Sequence, residues 1–412
     1  MRRALPLDPP LILLGVAAVA WVVAVPEPLR MPDSEGYLRS SARLFGDEPG
    51  VAWRPFGYPA FLHLIGGAQR LVAAQIGVLG LALVGLLRAV QRAGVGVGGR
   101  TLLAALLVTP AVMGWSAFLL TEALATALVL LGVLATRRAM DGGWASALLG
   151  GVALGCAGAV RPGLVAVGIA AAVSLAWWRS DRSGRVAAVV MAGLVALPAV
   201  GAAGWNQGTL GIASPSPLIA INLGTRAGPG LEVLPASAER DALIAARDAC
   251  GGPPDLCPWP WAALDAVQGD GDRVAAARRL LALHREVLQA RPDVWLASAV
   301  RALPRFVGPI AGPTRAITGT GRLSAVSQAV IWLALLVLAV RAAVTRDVVR
   351  EAQPLLLLAA TTTCALALVS VTFDAGWPRF RAPVQPLLLA ALVILLPKSM
   401  RGAGYTPPAG SP

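Results

Sequence analysis

The sequence predicts an all-α polytopic membrane protein with about ten transmembrane helices. Three observations predict it. The 412 residues are 56 % hydrophobic and 14 % charged, against about 25 % charged residues in soluble domains. The apolar residues gather in runs close to the 17–25 residues that a bilayer core of about 30 Å requires. The short connections between runs alternate between arginine-rich and charge-poor, the pattern of the positive-inside rule. An ordinary soluble domain is excluded, and so is a disordered chain, which needs low hydrophobicity.

The first run is Leu11–Val25, behind Met1-Arg2-Arg3. Pro26-Glu27-Pro28 follows in place of a small-residue cleavage site, so the run reads as an uncleaved first span. Further runs cover 71–88, 101–117, 121–136, 144–160, 162–178, 186–203, 324–341, 354–372 and 383–397. The stretch 101–136 holds one charge, Glu122. As a single helix it would reach about 54 Å, too long for one crossing. A break near Trp115–Thr121 makes it a hairpin. The stretch 144–178 breaks at Arg161-Pro162, because proline is favoured in the first turn of a new helix.

With the N-terminus inside, the inner connections are 88–100, 137–143, 179–185, 341–353 and the tail from Lys398. Together with the N-terminal residues they hold 15 of the 35 basic residues and 5 of the 22 acidic ones. Most of the net charge of +13 is therefore a topology signal, and no nucleic-acid partner is implied. Lys398 is the only lysine. The bias to arginine over lysine reflects a GC-rich bacterial genome.

Four regions follow. Residues 1–203 form a bundle of about seven spans that includes an outer loop, 26–70. Residues 204–323 form an extracytoplasmic helical loop of about 120 residues. Residues 324–397 add about three spans, and 398–412 form a disordered cytoplasmic tail. Within the large loop, helices are expected over Ala236–Ala249, Arg273–Ala290 and Val294–Phe306. The last two interleave apolar residues with arginine, so the pair either lies on the membrane surface or packs as a lid over the bundle. Cys250 and Cys257 flank a Gly/Pro turn and are expected to form a local disulfide if the loop faces an oxidising compartment. Cys156 and Cys364 lie in apolar runs as small hydrophobes. His63 and His284 stand alone and read as structural or surface residues. Asn222 and Arg226 are placed to meet a substrate by position alone.

Charges inside spans are expensive and mark function. Here most spans are free of them, and polar chemistry collects on the outer face. Asp33 and Glu35 follow the first span. Tyr37, Leu38, Ala42 and Leu44 share one face of a helix beginning near Ser34, which makes Asp33 either its N-cap or a reactive carboxylate. In Trp53-Arg54-Pro55-Phe56-Gly57-Tyr58-Pro59 an arginine is held between rigid turns. A fixed guanidinium suits bidentate phosphate binding; the plainer reading is an arginine snorkelling to lipid headgroups.

These two segments, Asp33-Ser34 with Tyr37-Leu38 and then Arg54-Pro55 with Gly57-Tyr58-Pro59, resemble the GT-C superfamily of integral-membrane glycosyltransferases. The resemblance is to the bacterial branch of protein O-mannosyltransferases and the lipid A aminoarabinose transferase. Four further segments agree in order and side: Thr121-Glu122 opening a span, Gly155 with Arg161-Pro162, Arg291-Pro292-Asp293-Val294-Trp295-Leu296, and Arg379-Phe380-Arg381-Ala382-Pro383 with Pro386. The resemblance covers roughly residues 10–396. It implies a GT-C-like fold and an enzyme that moves a hexosyl or pentosyl group from a polyprenyl-phosphate sugar donor to an acceptor hydroxyl. The acceptor is a glycan, lipid or protein.

By the same resemblance Asp33 is the general base, with Glu35 as a nearby substitute. Glu122 orients an arginine or the sugar, or caps its helix. Arg54, Arg379 and Arg381, with Arg161 behind them, stabilise the leaving phosphate. Tyr37, Tyr58, Trp53 and Trp377 pack on the sugar or isoprenoid, or belong to an interfacial aromatic belt. Asp374 is placed near the same face. No cofactor and no metal site are implied, although a divalent ion is left open. The expected location is the bacterial cytoplasmic (inner) membrane, with both termini cytoplasmic and the active site extracytoplasmic. The chain departs from the better-known members in lacking a soluble C-terminal domain, and its arginine-rich large loop matches no segment of theirs. The competing readings are a transporter or lipid or glycan flippase, and an O-antigen ligase- or polymerase-like enzyme.

Overall fold

The computed structural model describes residues 8–46, 51–252, 259–269, 271–308, 331–338, 340, 350–373 and 378–396. The described residues are helical, with one isolated parallel bridge, Leu29 to Phe118, as their β pairing. Half of the expected crossing 324–341, together with Asp374, Trp377, Cys257 and the tail from Lys398, lies outside them.

The helices run in this order: α1 Pro9–Ala24, α2 Ser34–Phe45, α3 Gly57–Leu64, α4 Leu71–Arg92, α5 Val97–Leu107, α6 Glu122–Met140, α7 Trp144–Val160, α8 Leu164–Trp178 and α9 Arg182–Leu210. Then come the short α10 Ile219–Asn222 and α11 Gly224–Ala227, followed by α12 Ala238–Asp248, α13 Trp259–Gln268, α14 Arg273–Ala290 and α15 Pro292–Val307. Two more, α16 Gln353–Phe373 and α17 Gln385–Leu395, close the series, joined in part by a 3-10 segment, Pro378–Val384.

Four segments are long and apolar enough to cross a bilayer: Ala68–Arg92, Glu122–Met140, Arg182–Leu210 and Arg350–Phe373. α1, α5, α7 and α8 are apolar but shorter. The expected single crossing 101–117 is instead α5, 11 residues long, and a separate 3-10 turn at Met113–Ala117. α5 reaches about 16 Å, half a bilayer core. Pro110 explains the interruption: it disfavours helical backbone in the residue before it, and α5 ends three residues earlier. The crossing expected over 383–397 is likewise an 11-residue helix, α17, behind its 3-10 lead-in.

Glycine sets the spacing inside the bundle. A Cβ on Gly155 of α7 would stand 2.5 Å from the Leu194 carbonyl oxygen of α9, so only glycine admits that approach. Small residues serve the same purpose wherever membrane helices pack backbone to backbone. The spans share one apolar core. A second core, built around Leu231, Leu243, Trp259, Leu264, Leu280 and Val287, lies in a lobe formed by α10–α14. His284 is buried in that core, and its Nδ1 pairs with the Ala220 carbonyl at 2.9 Å.

Candidate functional site

The site begins with backbone pairing across two loops. The Leu29 amide donates to the Ala117 carbonyl at 2.7 Å, and the Leu119 amide donates to the Leu29 carbonyl at 3.0 Å. The Ser34 hydroxyl donates to the Leu119 carbonyl at 3.0 Å and accepts from the Met31 amide at 2.9 Å. The residues just before Asp33 are thereby fastened to the residues just before Glu122. Buried backbone outside a helix needs such partners, since no water reaches it. Gln75 of α4 provides two more, donating to the Ser116 carbonyl at 3.0 Å and the Phe118 carbonyl at 2.9 Å.

Asp33 stands at the N-cap position of α2, but its side chain makes no capping bond. One carboxylate oxygen accepts from Arg54 at 2.8 Å, the other from Arg379 at 3.0 Å. Burial would raise its pKa, but the charges and hydrogen bonds of Arg379 and Arg54 outweigh burial and hold the carboxyl below the usual range. Glu122, in the first turn of α6, is 1 % exposed. Its carboxylate lies 3.6 Å from Arg161 and 4.0 Å from Arg379. The Thr121 hydroxyl reaches it at 3.5 Å. Arg379 therefore faces both carboxylates. Burial alone would lower its pKa; Glu122 and Asp33 reverse that and raise it, so it stays cationic.

Local folding explains each placement. Arg161 follows the last turn of α7 in extended backbone, as a residue before proline prefers. Arg54 crosses the start of α2, with its guanidinium 5.0 Å from the Tyr37 ring centroid. Gly36 makes room for it: a Cβ there would be 2.7 Å from the Arg54 Nε. Gly57 opens α3 against the end of α7, where a Cβ would be 2.6 Å from the backbone at Ala159–Val160. The Phe380 ring is shared by Arg161 at 4.6 Å and Arg379 at 5.4 Å.

The result is three guanidiniums and two carboxylates at one end of the bundle, a local excess of one positive charge. The Arg161 Nη1 is buried without a hydrogen-bond partner. Such a cluster suits an oxyanion that takes up the surplus donors. Among the described residues no group of three His, Cys, Asp or Glu side chains is placed to hold a metal ion.

The structure brings together Asp33, Glu122, Arg54, Arg161, Arg379 and Tyr37. Of the other expected residues, Tyr58 lies beneath this group, and Glu35 and Arg381 stand apart from it. Glu35 points outward and pairs with Arg30 at 2.7 Å, both exposed. Arg381 is buried away from the acids. It donates to the carbonyls of Phe306 and, at 2.9 Å, Gly308, and to Gln385 at 3.2 Å. Trp332 lies 5.4 Å from its guanidinium. Desolvation lowers its pKa to about 10. Arg381 thus ties the end of α15 to the 3-10 segment. Tyr58 is fully buried beneath Tyr37, rings edge to face at 5.0 Å, and its hydroxyl meets Gln75 at 3.3 Å. It is the floor of the site. Arg226 is buried between the lobe and α15, against Ser298. Cys250 is disulfide-bonded, Cys156 and Cys364 are free thiols, and the expected partner Cys257 lies outside the described residues.

Two contributors escaped the sequence reading. Gln75 was signalled by a polar amide in an otherwise apolar run. Phe380 was signalled by its place between two arginines.

No protein family matches the sequence, and no curated protein does. Among solved structures, the chain is similar to the crystal structure of ArnT from Cupriavidus metallidurans bound to undecaprenyl phosphate. Identity is 16 % and the TM-score 0.32, over 90 % of this chain and 77 % of that one. A likeness this distant carries no argument about function.

Proposed function

We propose that the protein is a membrane glycosyltransferase that moves a sugar from a polyprenyl-phosphate donor to an acceptor hydroxyl at the extracytoplasmic face. The observation that carries this reading is Asp33 held between Arg54 and Arg379, with Glu122 and Arg161 behind them. The sequence segments that resemble GT-C enzymes supply most of these residues, and the cluster has the charge such a reaction needs.

The chemistry balances without a cofactor. The acceptor oxygen attacks the anomeric carbon as its proton passes to the Asp33 carboxylate. The bond from that carbon to the phosphate oxygen breaks, and its electron pair leaves with the phosphate. Arg54, Arg379 and Arg161 stabilise the charge that grows there. A single displacement inverts the anomeric centre. Paired with two arginines, Asp33 is a weak base. When the donor phosphate draws those arginines away, Asp33 loses its counter-charges and its basicity rises. Tyr37 forms a wall beside Arg54, and Glu122 is placed to accept sugar hydroxyls or to hold Arg161 and Arg379.

The test supplies purified protein with a panel of polyprenyl-phosphate sugars and measures release of free polyprenyl phosphate. The expected result is turnover on one donor, lost in Asp33→Asn while that variant still folds and binds the donor. Full turnover in Asp33→Asn removes the base assignment. Translocation of the intact donor, with no phosphate released, removes the transferase reading.

A further inference from the structure

α14 and α15 are consecutive amphipathic helices with different surroundings. α14 buries Ala277, Leu280, Leu281, His284 and Val287 in the lobe's own core and exposes charged residues such as Arg278, Arg279 and Arg285. It is a lobe helix. α15 buries Ser298, Ala302 and Phe306 on one side. On another it exposes Leu296, Val300, Leu303 and Val307 at 63, 62, 48 and 38 %. The spacing of four, three and four residues puts these on one helical stripe. We infer that this stripe of α15 is seated in the outer leaflet of the bilayer, as an interfacial helix beside the site.

Three observations favour lipid over a protein partner. First, both ends of α15 are held at the outer boundary of the spans. The Trp295 indole donates to the Thr372 carbonyl at 2.9 Å, one residue from the end of α16. At the other end Arg381, just ahead of α17, binds the carbonyls of Phe306 and Gly308. The Trp332 indole donates to the Val307 carbonyl at 2.9 Å. Secondly, α15 packs against α16, which exposes Leu368 and Phe373, and the segment around Trp332 exposes Leu333 and Leu336. Thirdly, α15 carries Arg301 and Arg305 against one acid, Asp293, the charge balance that anionic headgroups attract. An apolar face with a basic flank is the signature of a helix lying in the interface.

The inference is independent of catalysis, and its test needs no substrate. Full-length protein lacking Cys156 and Cys364 (both to Ser), with the Cys250 disulfide kept, receives one new cysteine at Leu303→Cys, Val300→Cys or, as control, Gln289→Cys on α14. Each is labelled with an environment-sensitive fluorophore and reconstituted in phosphatidylcholine–phosphatidylglycerol vesicles. The labels at 300 and 303 are expected to be quenched by nitroxide lipids, with several-fold less quenching by aqueous iodide than the label at 289. Equal iodide quenching at all three sites overturns the inference. Protection from iodide without quenching by nitroxide lipid also overturns it, since a second copy or another polypeptide then covers the stripe.

Discussion

Asp33 meets Arg54 because the first turn of α2 carries a glycine three residues on. Gly36 leaves space that the Arg54 guanidinium fills, so a methyl group there displaces a flexible side chain and not the backbone. Gly36→Ala is expected to leave the melting temperature within a few degrees of wild type while donor binding weakens several-fold. Calorimetric titration with a polyprenyl-phosphate sugar checks it. Arg379→Ala is expected to be worse than Arg54→Ala in the same titration, because Arg379 faces both carboxylates. Equal losses would show that Glu122 contributes nothing. The pH dependence has a definite sign. Asp33 has a folded pKa below its ordinary 3.8, so its ion pairs stabilise fully above that value and are lost as pH falls through the lower one. The stability difference between wild type and Asp33→Asn should be flat from pH 7 to 5 and shrink below 3.8.

At this scale the sequence was legible where a residue's neighbours in the chain also constrain it. Asp33 and Arg54 each sit in a rigid local segment. Glu35 and Arg381 lie apart from the cluster that their spacing suggests, because spacing alone does not say which way a side chain turns. Two positions after Asp33, a helix has rotated Glu35 by about 200°, outward to Arg30. Two positions after Arg379, Arg381 faces the end of α15.

Helices whose ends carry their own chemical signals were read correctly. α14 begins after Asp272, whose carboxylate accepts from the amides of Val274 and Ala275, and ends before Pro292. α7 and α8 part at Arg161-Pro162 as expected. α5 was not legible, since hydropathy runs on past Leu107 and only Pro110 hints at the interruption. Two predictions belong to elements. Gly57→Ala pushes α3 off the backbone of α7, a contact no rotamer change relieves. Its expected cost is about 1–3 kcal/mol, read as a lowered melting temperature with loss of transfer, since Tyr58 and Arg161 flank the contact. His284 is buried with its pKa pushed down from 6.5 to about 4. The unfolded lobe binds that proton first, so stability declines as pH falls from 6.5 to about 4, by about 3 kcal/mol in total. In His284→Phe that slope should vanish, as local hydrogen exchange in α14 would report.

For the whole molecule, charge placement was the most informative sequence property. A reporter fused after Val90 is expected to read cytoplasmic and one after Ala262 extracytoplasmic; the reverse pair would invert the membrane orientation on which the site's placement depends. What composition does not reveal is how lobe and bundle are joined. Arg379 and Arg381 are two residues apart on one short 3-10 segment. The first grips the carboxylates of the site, and the second grips the last turn of α15. α15, which Arg226 of the lobe holds at Ser298, and the site therefore share a linkage. Under the proposed function, an acceptor that shifted α15 on docking would alter the donor's affinity through that segment, and reciprocity would require the donor to alter the acceptor's by the same factor.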